Sequence, residues 1–172
     1  MNIKKIAFIA LSATMIMSCN NKKGNNSDSS DNDFTRAGKP ETMKTEIVAN
    51  YFPKKDIAPN VIQFFTIDNQ QEFDQKFGAA KTMNNEVTQI DFNENRVGVI
   101  LLPESNRKEI IEIDDAKRIG SSVIIEYNIE EGEEQSFTSM AVLIFKLPGD
   151  NRLKTVEFKS GDETNIVNVE AK

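Results

Sequence analysis

Residues 97–148 read VGVILLPESNRKEIIEIDDAKRIGSSVIIEYNIEEGEEQSFTSMAVLIFKLP. Two nearly continuous apolar runs, 97–102 and 140–147, bracket a polar middle. Apolar runs of this length, with no alternation, suit strands covered on both faces. Between them, Glu109 to Asp114 alternates in part, with Ile111 and Ile113 sharing one face. Val123, Ile125, Tyr127 and Ile129 alternate with Ile124, Glu126 and Asn128, the pattern of a half-buried strand. The segment 103–108, PESNRK, reads as a polar connection, 114–120 as turn-rich, and Glu130-Glu-Gly-Glu-Glu134 as a hairpin tip.

The pattern extends outward in both directions. Upstream, Val61-Ile-Gln-Phe-Phe-Thr-Ile67 is β-branched and aromatic and predicts a strand. Asp68 is placed to cap a helix, with Gln71 at the back-bonding position of a capping box. Phe73, Phe77 and Ala80 give that helix one apolar face, Gly78 stands where a helix stops, and 83–86 reads as a turn. Downstream, Pro148-Gly-Asp-Asn151 is a turn, Val156 and Phe158 open a strand, and Ile166, Val167 and Val169 form a short last one. The expected fold is α+β: a mainly antiparallel sheet, as a small sandwich or partly open barrel, with one short helix packed on it.

The N-terminus has a different composition. Lys4 and Lys5 precede twelve mostly apolar residues, Ile6 to Met17, and then Ser18 and the only cysteine, Cys19. That run is the length of a signal h-region and short of the roughly 18–20 residues of a membrane span. Ile16-Met-Ser-Cys19 resembles the lipobox of bacterial lipoproteins. The resemblance implies cleavage between Ser18 and Cys19 and acylation of Cys19. Two or more acyl chains anchor stably, at about 0.8 kcal/mol per buried CH₂. Asn20 in place of Asp after the cysteine implies, by the same resemblance, the outer membrane. The next residues, 20–33, hold only Asn, Lys, Gly, Ser and Asp, which have nothing to bury, so they predict a disordered tether. The expected organisation is a signal peptide over 1–18, a lipidated cysteine and tether over 19–41, and one β-rich domain over 42–172.

Composition narrows the chemistry. From Cys19 onward there are 19 basic and 27 acidic residues, a net −8, so nucleic acid is an unsuitable partner. The chain has no His, which removes Ser-His-Asp triads, Cys-His dyads and His-ligated zinc. No glycine-rich phosphate loop precedes a helix. Asp114 and Asp115 are adjacent, so in a strand they point to opposite faces and make no glycosidase pair. Asp28, Asp31 and Asp33 lack calcium-loop spacing, and Glu130, Glu131, Glu133 and Glu134 read as a solvated turn, with a hard cation such as Ca²⁺ as the alternative that the residue count alone does not separate. Phe64, Phe65, Phe73 and Phe77 fall at core spacing. No cofactor or metal is expected.

Ile90-Asp-Phe-Asn-Glu-Asn-Arg-Val-Gly-Val-Ile-Leu-Leu102 resembles the opening of the C-terminal domain of the PrcB family of protease-complex-associated lipoproteins. Phe137-Thr-Ser-Met-Ala-Val-Leu-Ile-Phe-Lys-Leu147 resembles a later element of it. The likeness is one of pattern and covers about 64–147. The family's loop after the first strand is usually Gly-rich and its Thr is followed by Pro, whereas here the loop has no Gly and Ser139-Met140 stands in the Pro position. The resemblance implies a non-catalytic lipoprotein that associates with a protease or another envelope protein. The expected function is therefore a lipid-anchored binding or assembly module of the bacterial envelope. It meets the membrane through Cys19 and a protein partner through a sheet edge or the loop Glu104, Ser105, Asn106, Arg107 and Lys108. The alternatives are a binder of a small molecule or sugar and, below it, a carboxylate-dependent hydrolase.

Overall fold

The computed structural model describes residues 38–80 and 86–171. The signal segment, the tether up to residue 37, Ser18, Cys19 and the aspartates 28, 31 and 33 lie outside the described residues, as do 83–85 of the expected turn, while the expected end of the tether, Glu41, already belongs to a strand. Two strands dominate: β5 (Asn95–Ile119) and β6 (Ser122–Pro148), of 25 and 27 residues. They pair antiparallel along their whole length, from Asn95↔Pro148 at the base to Ile119↔Ser122 at the tip. A two-residue loop, Gly120-Ser121, turns the chain at that tip. Gly120 has φ +58°, at the first central position that a type II′ hairpin turn reserves for glycine.

A straight strand of 27 residues runs about 90 Å. Yet β7 (Thr155–Ser160) follows β6 after six residues, a link of about 25 Å at full stretch. It lies parallel to the start of β6, with Thr155 against Ser122. The base and tip of the ribbon must therefore be neighbours, and the ribbon folds back on itself. Arg118 at the tip and Asp150 beyond the base confirm it with a two-pronged ion pair, Nη1–Oδ2 at 2.6 Å and Nη2–Oδ1 at 2.9 Å. Lys154 N donates to Ser121 O at 2.8 Å across the same gap.

The remaining strands are short. They are β1 (Glu41–Thr42) on the tip half of β5, β3 (Gln63–Ile67) on its base half, and β8 (Glu163–Asn168) on β7. A separate pair joins β2 (Tyr51–Pro53) to β4 (Phe77–Ala79). The single α-helix among the described residues, α1 (Gln70–Lys76), packs Phe73 against Tyr51, Phe77 and Phe92. Among the described residues the sheets are mainly antiparallel, and the strands do not close into a barrel. This is the α+β arrangement that the apolar patterns predict.

The folded-back ribbon has two cores. Val97, Val99 and Leu101 face α1 with Val48, Ile67, Phe73, Phe77 and Ile144. Ile100, Leu102 and Phe145 face the tip half of the ribbon and β7, meeting Val123, Ile125, Val156 and Phe158. The base half of β5 is thus covered on both faces, as its unbroken apolar run requires. Gly98 lies beneath the ring of Phe145, so close that a Cβ there would stand 2.5 Å from Phe145 Cζ.

Three local expectations are corrected. The helix is capped by Asn69, not Asp68: Asn69 Oδ1 accepts from Glu72 N at 2.8 Å, while Asp68 accepts from Asn69 Nδ2. The helix ends at Lys76, and Gly78 sits inside β4. The segment 114–119 is strand; only Gly120-Ser121 turns.

Candidate functional site

The sequence predicts a loop at Glu104, Ser105, Asn106, Arg107 and Lys108, and a hairpin tip at Glu130 to Glu134. Both are corrected: the first five lie inside β5, the second inside β6, and they face each other. Arg107 pairs in register with Glu134, and Glu109 with Glu131. The two polar stretches form one surface, the midsection of the ribbon.

This midsection bends because its register slips repeatedly. Between Ser105↔Ser139 and Arg107↔Glu134, two steps along β5 match five along β6. Further shifts fall between Leu101 and Glu104, Arg107 and Glu109, and Ile113 and Asp115. Bulges of this kind bend strands and let one strand pass from one layer of a sandwich to the other. Pro103 stands in the first of them, where a missing backbone donor costs no ladder bond. Polar contacts hold the bend: Asn106 Nδ2 donates to Glu134 Oε1 at 2.7 Å, and Arg107 N donates to Ser105 Oγ at 3.0 Å. Arg107 Nε lies 4.0 Å from Glu131 Oε2, with both side chains mostly exposed.

Residues 104–110 and 129–139 carry six carboxylates and two cations, half of the net negative charge beyond Cys19. Phe137 is 62% exposed, and Ile110 and Ile129 are also open to solvent. Burial raises the pKa of Glu109, and the facing Glu131 raises it further. Among the described residues, no strand pairs with the outer edge of β5 from 103 to 115 or of β6 from 128 to 141. Nor, among them, does any cluster of acidic residues have the geometry to hold a metal ion. Asp114 accepts from Asn128, and Asp115 pairs with Lys117.

A second feature was not anticipated. Arg96, the second residue of β5, is 1% exposed. Its Nη1 donates to the Glu170 carbonyl at 3.0 Å, but its Nε and Nη2 have no hydrogen-bond partner. An unmade hydrogen bond on a buried group costs about 1–3 kcal/mol, and more when the group is charged. Arg96 lines a cavity of about 360 Å³ with Phe65 and Thr66 of β3, Asp68 and Glu72 before and within α1, and Glu170 beyond β8. In the sequence, Arg96 looks like a surface cation heading an apolar strand. Strand periodicity was the available signal, since Arg96 shares its face with Gly98, Ile100 and Leu102, all of them buried.

Phe73 and Phe77 are core, and Phe64 packs at 5.0 Å on Phe158. Phe65 is half-buried and lines the cavity. Compared with models of protein families, with curated proteins and with solved structures, the chain matches none. No helix of the described residues is long and apolar enough to cross a membrane.

Proposed function

We propose that this protein is a lipid-anchored module of the bacterial cell envelope, tethered through Cys19 to the outer membrane, that binds a protein partner and performs no catalysis itself. The observation that carries the reading is the ribbon midsection. Among the described residues it is paired within itself, open along both outer edges, acidic, and marked by the exposed Phe137. An open strand edge is a ready template for an incoming extended segment. Its six carboxylates against two cations favour a basic segment, and Phe137 offers that segment an apolar contact. Association with a protease, which the PrcB resemblance implies, is one form of this binding.

The test is purification of the C-terminally tagged full-length chain from native membranes after mild crosslinking, with mass spectrometry of what accompanies it. The comparison variant carries Glu130→Gln, Glu131→Gln, Glu133→Gln, Glu134→Gln and Phe137→Ser. A stoichiometric partner with a basic surface that is lost from the variant and at high salt supports the reading. A partner retained by the variant, or a chain that comes down alone in several detergents, sinks it. Cys19→Ser should move the chain from the membrane to the soluble fraction.

A further inference from the structure

The cavity at Arg96 lies apart from the ribbon midsection and asks for a ligand of its own. Nε and Nη2 sit on one edge of the guanidinium plane, the edge not used by the Glu170 carbonyl. Together they form the side-on fork that matches the two oxygens of a carboxylate. The neighbouring acids leave this fork unfilled. Glu72 pairs with Lys76 at 3.9 Å, and Asp68 accepts from Asn69. Asp68, Glu72 and Glu170 nonetheless line the same cavity. The site therefore has one deep positive group and a surround that is negative on balance, three acids against Lys76, which pairs with Glu72 and lies 5.5 Å over the Phe65 ring. A polyanion such as phosphate is repelled by that surround, whereas a molecule with an inner carboxylate and an outer ammonium complements both. A volume of about 360 Å³ equals that of roughly a dozen waters. That suits a ligand of about a dozen heavy atoms, at the small end of ligand sites.

The geometry points to a receptor site for a small zwitterion of the amino-acid or dipeptide class, its carboxylate on Arg96 Nε and Nη2 and its ammonium among Asp68, Glu72 and Glu170. The fork has almost no contact with bulk solvent, so an entering carboxylate displaces part of the wall. Glu170 is exposed and Glu72 half-exposed, and these are the parts of the wall with room to move.

The full-length chain in non-ionic detergent, with ¹⁵N-labelled arginine, is titrated with alanyl-alanine, its C-terminal amide, its N-acetyl form and inorganic phosphate at matched ionic strength. The free dipeptide should shift the Arg96 Nε–H resonance and raise Tm in a saturable way. The amide, with no carboxylate, should do neither, and the N-acetyl form should bind on the order of tenfold more weakly or worse. Arg96→Lys, which keeps the charge and loses the fork, should weaken binding by a similar factor. The spectral readout on the unmutated chain stands even if that variant fails to fold. A response to the amide or to phosphate equal to that of the dipeptide overturns the assignment, as does no saturable response to any of the four. Asp68→Asn tests the competing internal partner. Tm should stay within a degree or so of the parent, and a large fall would mean that Asp68 itself fills the fork.

Discussion

The base and the midsection of the ribbon are built from the same two strands and paired by the same ladder, yet they differ in almost every other respect. At the base, Val97, Val99, Ile100 and Leu101 are inaccessible to solvent. A few residues further on, Glu104, Asn106, Arg107 and Lys108 are exposed, and the facing stretch of β6 from Ile129 to Glu134 is exposed too. The base is held by burial on both faces. The midsection is held by its flanks: the base and the tip half are each packed into a core, and the chain between them has only to continue the ladder. Stability thus resides at the two ends of the ribbon, and the middle is left free for recognition, where polar groups and open edges are assets.

The largest expected effect lies where the two halves of the ribbon meet. Phe158 touches both Phe145 and Phe64 there. Phe158→Ala should cost about 3–5 kcal/mol in urea or thermal unfolding. Phe137→Ala in the midsection should stay within about 0.5 kcal/mol of the parent. A loss above that at Phe137 would break the contrast between the two regions. Next comes Gly98→Ala, which presses a methyl into the Phe145 ring and should cost about 1–3 kcal/mol through overpacking. A smaller effect is expected where tip meets base. Hydrogen bonding to Arg118 holds the Asp150 carboxyl well below its ordinary range. Its contribution is therefore present above the unfolded value near 3.9 and is lost as pH falls from there through the lower folded value. Asp150→Asn should cost about 1 kcal/mol at pH 7, allowing for partial solvent screening, and the gap to the parent should close on acidification. A gap unchanged by acid would remove the ion pair as its cause.

The smallest effect belongs to the midsection and has the opposite sign. Glu109 has its folded pKa raised, by burial and by Glu131, so its ionised form opposes folding above that pKa. Glu109→Gln should stabilise by a few tenths of a kcal/mol at neutral pH, with no gain below the unfolded value near 4.3. Destabilisation at neutral pH would show that Glu109 forms contacts on which the bend depends.

Much of this contrast was legible in the residues. The apolar runs at 97–102 and 140–147 marked a doubly covered strand pair, and the alternation from Val123 to Tyr127 marked a strand with one buried face. The polar stretches misled because charge, Pro and Gly are ordinary signals for loops, and nothing local distinguishes a solvated turn from a solvated ladder. The pairing of Arg107 with Glu134 is a property of the other strand. Arg96 was missed for a related reason: a cation beside an apolar run reads as its polar end until the neighbouring elements that cover it are known.

Side-chain period and counted charge are enough to mark the strands at the two cores, one short helix and the acidic balance. Contacts across the fold make the polar middle ribbon, join its acidic halves into one surface, and bury an arginine with two of its three nitrogens unpartnered. Those outcomes depend on which segments become neighbours. Here the β5–β6 ladder sets the first two, and the six-residue link that folds the ribbon back, with β7, β8 and Glu170 following it, sets the third.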